Sequence, residues 1–255
     1  MRRIRFLFRI FLFTTTVACT GAAGRDSTGQ SEGVSTEGTV GDMYYEYRLS
    51  TTGDIQINSS TKMYISSSGK TRVETSMTKN VTGDKPLSFV LIGTSNKPNE
   101  SILIDDENKT YTINHFNRDS MPNPGKIQST VTRIGEEKIL GYNCVHARVV
   151  SNKNLGGFFK ITDTLDIWRS NDVPIQDQFK NLMKNFESKT GNFMYSNEVV
   201  DQLKKMGCDG FMVKMEIRSK RSKTEEELVR AEHKSFPASM FEIPAGYKED
   251  KNGLF

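Results

Sequence analysis

From Met43 to Leu49 the side chains alternate, with Met43, Tyr45, Tyr47 and Leu49 on one parity and Tyr44, Glu46 and Arg48 on the other. That period of two marks a strand with one buried face. Shorter patterns of the same kind predict strands over 62–66, 71–78 and 88–93, separated by Ser66-Ser67-Ser68-Gly69 and by Thr82-Gly83-Asp84-Lys85-Pro86. Ile102-Leu103-Ile104 and Tyr111-Thr112-Ile113 flank Asp105-Asp106-Glu107-Asn108, a hairpin with a polar tip. Pro122 and Pro124 mark a loop over 115–126, after which strands resume at 129–134 and 144–150. A further strand places Phe159, Ile161, Leu165 and Ile167 on one face and Lys160, Thr162, Thr164 and Asp166 on the other, with Asp163 interrupting the apolar row.

Beyond Pro174 the period changes to that of a helix. Ile175, Phe179, Leu182, Met183 and Phe186 form an apolar stripe, with Gln176, Asp177, Lys180, Asn181 and Lys184 opposite. A second helix is signalled by Ser196 as N-cap, by Tyr195 and Val200 as a hydrophobic staple, by Val199, Leu203 and Met206 on one face, and by Gly207 as the stop. Phe211, Val213, Met215 and Ile217 predict another strand. The stretch 224–235 carries two signals: Thr224-Glu225-Glu226-Glu227 has the form of a capping box, whereas Val229, Ala231 and His233 alternate. A strand pairing with its predecessor is the reading adopted. Met240–Lys248 is read as a short closing strand ended by Pro244 and Gly246. Short strands joined by turns predict an antiparallel meander rather than βαβ units, with the helices packed on the sheet.

Composition changes this picture at one end only. The formal charge of +4 arises from 35 basic against 31 acidic residues, and Arg2, Arg3, Arg5 and Arg9 account for the excess. The remainder is balanced, so nucleic acid is not an expected partner. A basic start, an apolar run over 6–17 and small residues over 18–24 form an export signal too short to span a bilayer. Thr16-Val17-Ala18-Cys19 is similar to a lipobox, with Thr16 where an aliphatic residue is usual. Cys19 is therefore the candidate lipid anchor, and cleavage after Ala18 or Ala22 with soluble secretion is the alternative. The stretch 20–40 holds almost no large apolar side chain and reads as a flexible tether. The expected compartment is the cell envelope, either outer membrane or periplasm.

Candidate chemistry is sparse. His115, His146 and His233 are scattered without metal-ligand spacing, and no GxSxG elbow, GxGxxG or phosphate loop occurs, so neither a metal nor a cofactor nor catalysis is expected. Asp105-Asp106-Glu107 lacks the alternation of a calcium loop and is read as a solvated tip. Cys144 and Cys208 are the cysteines left in an exported chain and are candidates for a disulfide. Phe179, Met183 and Phe186 are candidates for lining a lipid or other apolar ligand, the alternative being plain core packing. Asp163 requires a partner, a wet cavity, or a place at an edge or bulge. Asp26-Ser27-Thr28, Asp119-Ser120-Met121 and Asp163-Thr164-Leu165 resemble short O-glycosylation acceptors.

Phe241-Glu242-Ile243-Pro244-Ala245-Gly246-Tyr247, with Gly141-Tyr142-Asn143-Cys144 and Asp166-Ile167-Trp168 upstream, resembles the bacterial envelope family DUF4412, a domain of unknown function, over roughly 43–248. That family is similar in turn to the half-barrel of lipoprotein carriers. The resemblance implies an α+β fold, mainly an antiparallel meander forming an incomplete barrel, with two or more helices on its open face. It carries over no catalytic residues. The implied organisation is a signal peptide over 1–18, a tether over 19–40, one half-barrel domain over 41–250 and a tail over 251–255. Two functions stay open: an envelope protein binding an apolar ligand between sheet and helices, and a structural or interaction protein with a filled core.

Overall fold

A computed structural model of the chain describes residues 41–54, 56–79, 86–94, 97, 100–115, 127–154, 160–175 and 197–251. Alternation does produce strands: β1 (Met43–Gly53), β2 (Ile57–Ile65), β3 (Lys70–Lys79), β4 (Leu87–Thr94), β5 (Glu100–Asp105) and β6 (Thr110–His115) follow one another as antiparallel hairpins. A second run comprises β7 (Ile127–Ile139), β8 (Tyr142–Asn154) and β9 (Lys160–Ser170), then helix α1 (Asn197–Lys205), β10 (Phe211–Arg218) and β11 (Ser222–His233). β11 returns to pair antiparallel with β1, and the two-residue β12 (Lys248–Glu249) pairs parallel with β6. The result is one open, mixed sheet of twelve strands in the order β12-β6-β5-β4-β3-β2-β1-β11-β10-β9-β8-β7.

This corrects the expected fold class. An incomplete barrel with two or more helices on its open face is not what forms; among the described residues one α-helix accompanies an open sheet. The stripe from Ile175 to Phe186 lies, apart from Ile175 itself, outside the described residues. The expected closing strand over 240–248 is also corrected. Ala238–Phe241 is a 3-10 turn and the strand begins only at Lys248, because Pro237 and Pro244 lack the N–H a ladder needs.

Register sorts the side chains into two faces, since paired residues point the same way. On the apolar face Tyr45 lies beside Met63, and Met63 beside Val73. Across the seam, Leu228, Met215, Ile167 and Ala147 continue it. Helix α1 presents Val199 and Leu203 to Val131, Ala147, Val149, Leu165 and Ile167, and its acidic Glu198 and basic Lys204 and Lys205 match the helix dipole at either end. Tyr45 stacks on Phe211 at 4.8 Å and donates a hydrogen bond to the Pro174 carbonyl at 2.8 Å. Tyr47 donates to the Met212 carbonyl at 3.0 Å. On the opposite face, Val90, Ile92 and Ile104 are covered by Ile243 and Tyr247, so the C-terminal segment protects the β4–β6 end of the sheet.

Three irregularities in register adjust the faces. β1 against β11 shifts between Glu46 and Tyr47, β10 against β9 between Met212 and Lys214, and β7 against β8 between Arg133 and Gly135. The second leaves Val213 as the extra residue, buried among Tyr45, Tyr47 and Phe211; the third leaves Ile134 at 47% exposure.

Candidate ligand-binding face

The hairpin that sequence patterning left ambiguous supplies the most unusual group of the apolar face. β11 lies between β1 and β10, so each of its residues has a partner on both sides: Glu226 stands opposite Leu49 of β1 and Met215 of β10. Continuing outward in register, the row reads Ala147, Ile167, Met215, Glu226, Leu49, Ser59, Met77, one residue from each of seven adjacent strands. Every member is buried, Glu226 itself to 4% exposure. Its carboxyl has no hydrogen-bond or ion-pair partner among the described residues. Desolvation pushes its pKa from 4.5 up to about 8, since an ionised carboxylate there loses water without gaining a countercharge. Hydroxyl pairs also lie on this face: Thr51 and Thr224 hydrogen-bond at 3.0 Å, and Thr61 and Thr75 at 3.3 Å.

The opposite face of the same strands holds a charge network. Asp166, at 1% exposure, accepts from Arg148 Nε at 2.8 Å and Nη2 at 3.1 Å, from Arg218 Nη1 at 3.3 Å, and pairs with His146 Nε2 at 3.0 Å. Burial pushes this carboxyl up, but the hydrogen bonds from Arg148 and His146 outweigh it and hold its pKa below the usual carboxylate range. Glu216 bridges Arg218 and Lys223, and Glu225 pairs with Lys214 at 2.7 Å. His146 stacks on Trp168 at 4.1 Å, and Lys214 Nζ lies over the Trp168 ring at 5.3 Å from its centroid. Two carboxyls on strands either side of β10 thus find opposite fates according to which face of the sheet they occupy.

The residues singled out from sequence are distributed as follows. Cys19, Phe179, Met183 and Phe186 lie outside the described residues, as do Asp26-Ser27-Thr28 and Asp119-Ser120-Met121. The Cys144–Cys208 disulfide is not formed: both are free, buried thiols. Cys144 packs with Trp168 and Val173, whereas Cys208 packs with Ala147, Val199 and Leu203 and lies 3.5 Å from the Val145 carbonyl. Burial raises both thiol pKa values, that of Cys208 to about 11, so neither is disposed to react as a thiolate. Asp163 is half-buried opposite Ser151, beyond the reach of β10, whose pairing with β9 ends at Thr164. At the β5–β6 tip, Asp105 accepts from the Asn108 backbone and side chain, and Tyr247 donates to Asp106 at 2.7 Å; these carboxylates have structural work.

Sequence reasoning missed Glu226 and the Asp166 network. The available signal for Glu226 was parity: Thr224, Glu226 and Leu228 share a face in an alternating strand, which places a charge at an apolar position.

The model of the family described as "Domain of unknown function (DUF4412)" matches residues 46–247. The chain belongs to this family. Similar solved structures include the Mycobacterium tuberculosis lipoprotein LppX, at 8% identity and a TM-score of 0.32 over 76% of this chain and 88% of that one. A LolA superfamily protein from Nitrosomonas europaea gives 4% identity and a TM-score of 0.31 over 80% and 91% of the two chains. At these scores neither likeness carries an argument about function. No curated protein matches the chain. Among the described residues no helix of this DUF4412 member is long and apolar enough to cross a membrane.

Proposed function

We propose that this DUF4412 protein is an exported, non-catalytic envelope protein that holds a lipid or other apolar molecule against the apolar face of its sheet, tethered to a membrane through Cys19. The carrying observation is the buried row from Ala147 to Met77, seven strands wide and apolar except for Glu226 and Ser59. Helix α1 packs against one end of this face, beside β7, β8 and β9, while the row extends on to β3. A face so broad, with few polar groups to orient a ligand, matches the make-up of small-molecule sites. The expectation is that native mass spectrometry of the protein purified from its own envelope shows a co-purifying apolar ligand, and that an apolar dye binds once that ligand is extracted. Absence of both results defeats this reading.

A second reading, a structural or interaction protein with a filled core, is supported by the internal use of the aromatic side chains. Tyr45 and Tyr47 spend their hydroxyls on backbone carbonyls and their rings on Phe211. In that case the extracted protein binds no dye.

A further inference from the structure

One hairpin carries charge that neither the apolar face nor the network around Asp166 uses up. The six residues around the β10–β11 turn read Arg218-Ser219-Lys220-Arg221-Ser222-Lys223, four of them basic and none acidic or apolar. The fold treats these cations differently. Arg218 is held to Asp166 at 3.3 Å and to Glu216, and Lys223 to Glu216 at 2.9 Å and Glu225 at 3.4 Å, so these two lie back against the charged face of the sheet. Lys220 has no ion-pair partner among the described residues, and Arg221, at 81% exposure, reaches the exposed Asp54 only at 3.9 Å. An exposed pair of that length neutralises little.

The apex is firmly built. Ser219 N–H donates to the Ser222 carbonyl at 2.9 Å, and Ser219 Oγ accepts from the Ser222 N–H at 3.2 Å. Asp54 N–H donates to the Arg221 carbonyl at 3.3 Å, and Gly53, with φ at 121°, lets the end of β1 approach so closely that a Cβ there would collide with that carbonyl oxygen. Lys220 and Arg221 therefore project side by side from a fixed backbone. Like charges so placed repel each other until an anion meets them.

Going beyond the apolar-ligand reading and independent of it, we propose that the β10–β11 hairpin docks on the anionic headgroups of a membrane surface, with Lys220 and Arg221 as the contacting groups. A protruding turn offers no concavity to a small molecule, and this one has no aromatic or aliphatic side chain to anchor a protein partner. Charge that is balanced over the rest of the chain beyond its N-terminal arginines provides no extended basic track for nucleic acid. Lipid headgroups need neither pocket nor track, because they diffuse laterally to a pair of cations, and the Arg221 guanidinium matches a phosphate with two parallel N–H donors.

Vesicles of phosphatidylcholine, with and without about one third phosphatidylglycerol, are sedimented with the exported full chain carrying Cys19→Ala, so that no acyl anchor contributes. The tip variant combines Lys220→Gln with Arg221→Gln. Its control combines Lys204→Gln with Lys205→Gln, which removes the same charge from the exposed last turn of α1. A thermal melt confirms that each is folded. The parent is expected to bind the anionic vesicles, to leave them at high salt and to ignore pure phosphatidylcholine. The tip variant is expected to lose about thirtyfold in affinity, roughly fivefold for each cation, while the control stays within about threefold of the parent. Equal binding to both vesicle types, an undiminished tip variant, or equal losses in tip variant and control overturns the docking role. So does a parent that ignores both vesicles yet is retained by immobilised poly-L-glutamate, a result that assigns the tip to an acidic protein segment. Apolar-dye binding is expected to be the same in parent and tip variant, so either reading can fail while the other stands.

Discussion

Glu226 of β11 and Asp166 of β9 are carboxyls two strands apart whose surroundings move them in opposite directions. Asp166 meets two arginines and a histidine and stays ionised, so its contribution to stability is present at neutral pH and is lost as pH falls through its depressed pKa. Glu226 meets side chains without charge, and its raised pKa reverses the sign. The folded chain holds this proton more tightly than the unfolded chain does, so stability from this group is greatest below about pH 4.5 and declines until about pH 8. The slope is about 1.4 kcal/mol per pH unit. Denaturant midpoints of the parent and of Glu226→Gln are therefore expected to diverge with rising pH. By pH 7 the parent should have lost about 3 kcal/mol relative to the variant, compared with their difference at pH 4. Parallel pH profiles would show that the carboxyl is solvated or paired. Sequence alone does not show this difference, because Asp166 lies between Leu165 and Ile167 and Glu226 between two glutamates, the reverse of what each meets in the fold, and only register reveals what lies across the strand.

At the level of elements, the β7–β8 hairpin turns on Leu140-Gly141, both with positive φ, at 51° and 87°. Two such residues make the primed turn that matches strand twist, and the second is suitably glycine. The first is a leucine at 51% exposure, which gains no burial and carries a Cβ in a left-handed conformation. Leu140→Asn, giving Asn-Gly, is expected to stabilise the protein by about 1 kcal/mol, seen as a raised denaturation midpoint with an unchanged slope. A lowered midpoint would mean that Leu140 has packing beyond its turn. Alternation located most strands and helix α1, whose Val199 and Leu203 are buried as read. For β11 the capping-box pattern of Thr224 to Glu227 lost to pairing on both sides, with β1 and β10, which satisfies a strand's backbone more completely than an isolated helical turn does. Closing residues 240–248 misled in the other direction: Phe241, Ile243 and Tyr247 are apolar at alternate positions, yet they pack as an irregular strap on the opposite face.

For the molecule as a whole, two meanders, β1–β6 and β7–β11, join along the seam between β1 and β11, residues almost two hundred positions apart. Its edges are handled differently. β7 exposes Arg133, Glu136, Glu137 and Lys138, charges that discourage pairing with another sheet, while β6 is covered by the short parallel β12. The N-terminal forty residues bear on where this sheet is held. Cys19→Ala is expected to move the protein from the membrane fraction to the soluble fraction, and a protein that stays with the membrane would show that Cys19 is not its anchor.

Taken by itself, the sequence determined the strand-rich character, the positions of most turns, helix α1 and membership of DUF4412, because a side-chain period, a capping residue and a family motif are local properties. Tertiary structure alone decided that the sheet is open, that the Cys144 and Cys208 thiols lie in separate clusters, and that Glu226 is enclosed by Leu49 and Met215. The physical reason is register. A one-residue shift at a bulge reverses every side chain beyond it, and which strand lies alongside is set by contacts between distant residues that leave no mark on either segment alone.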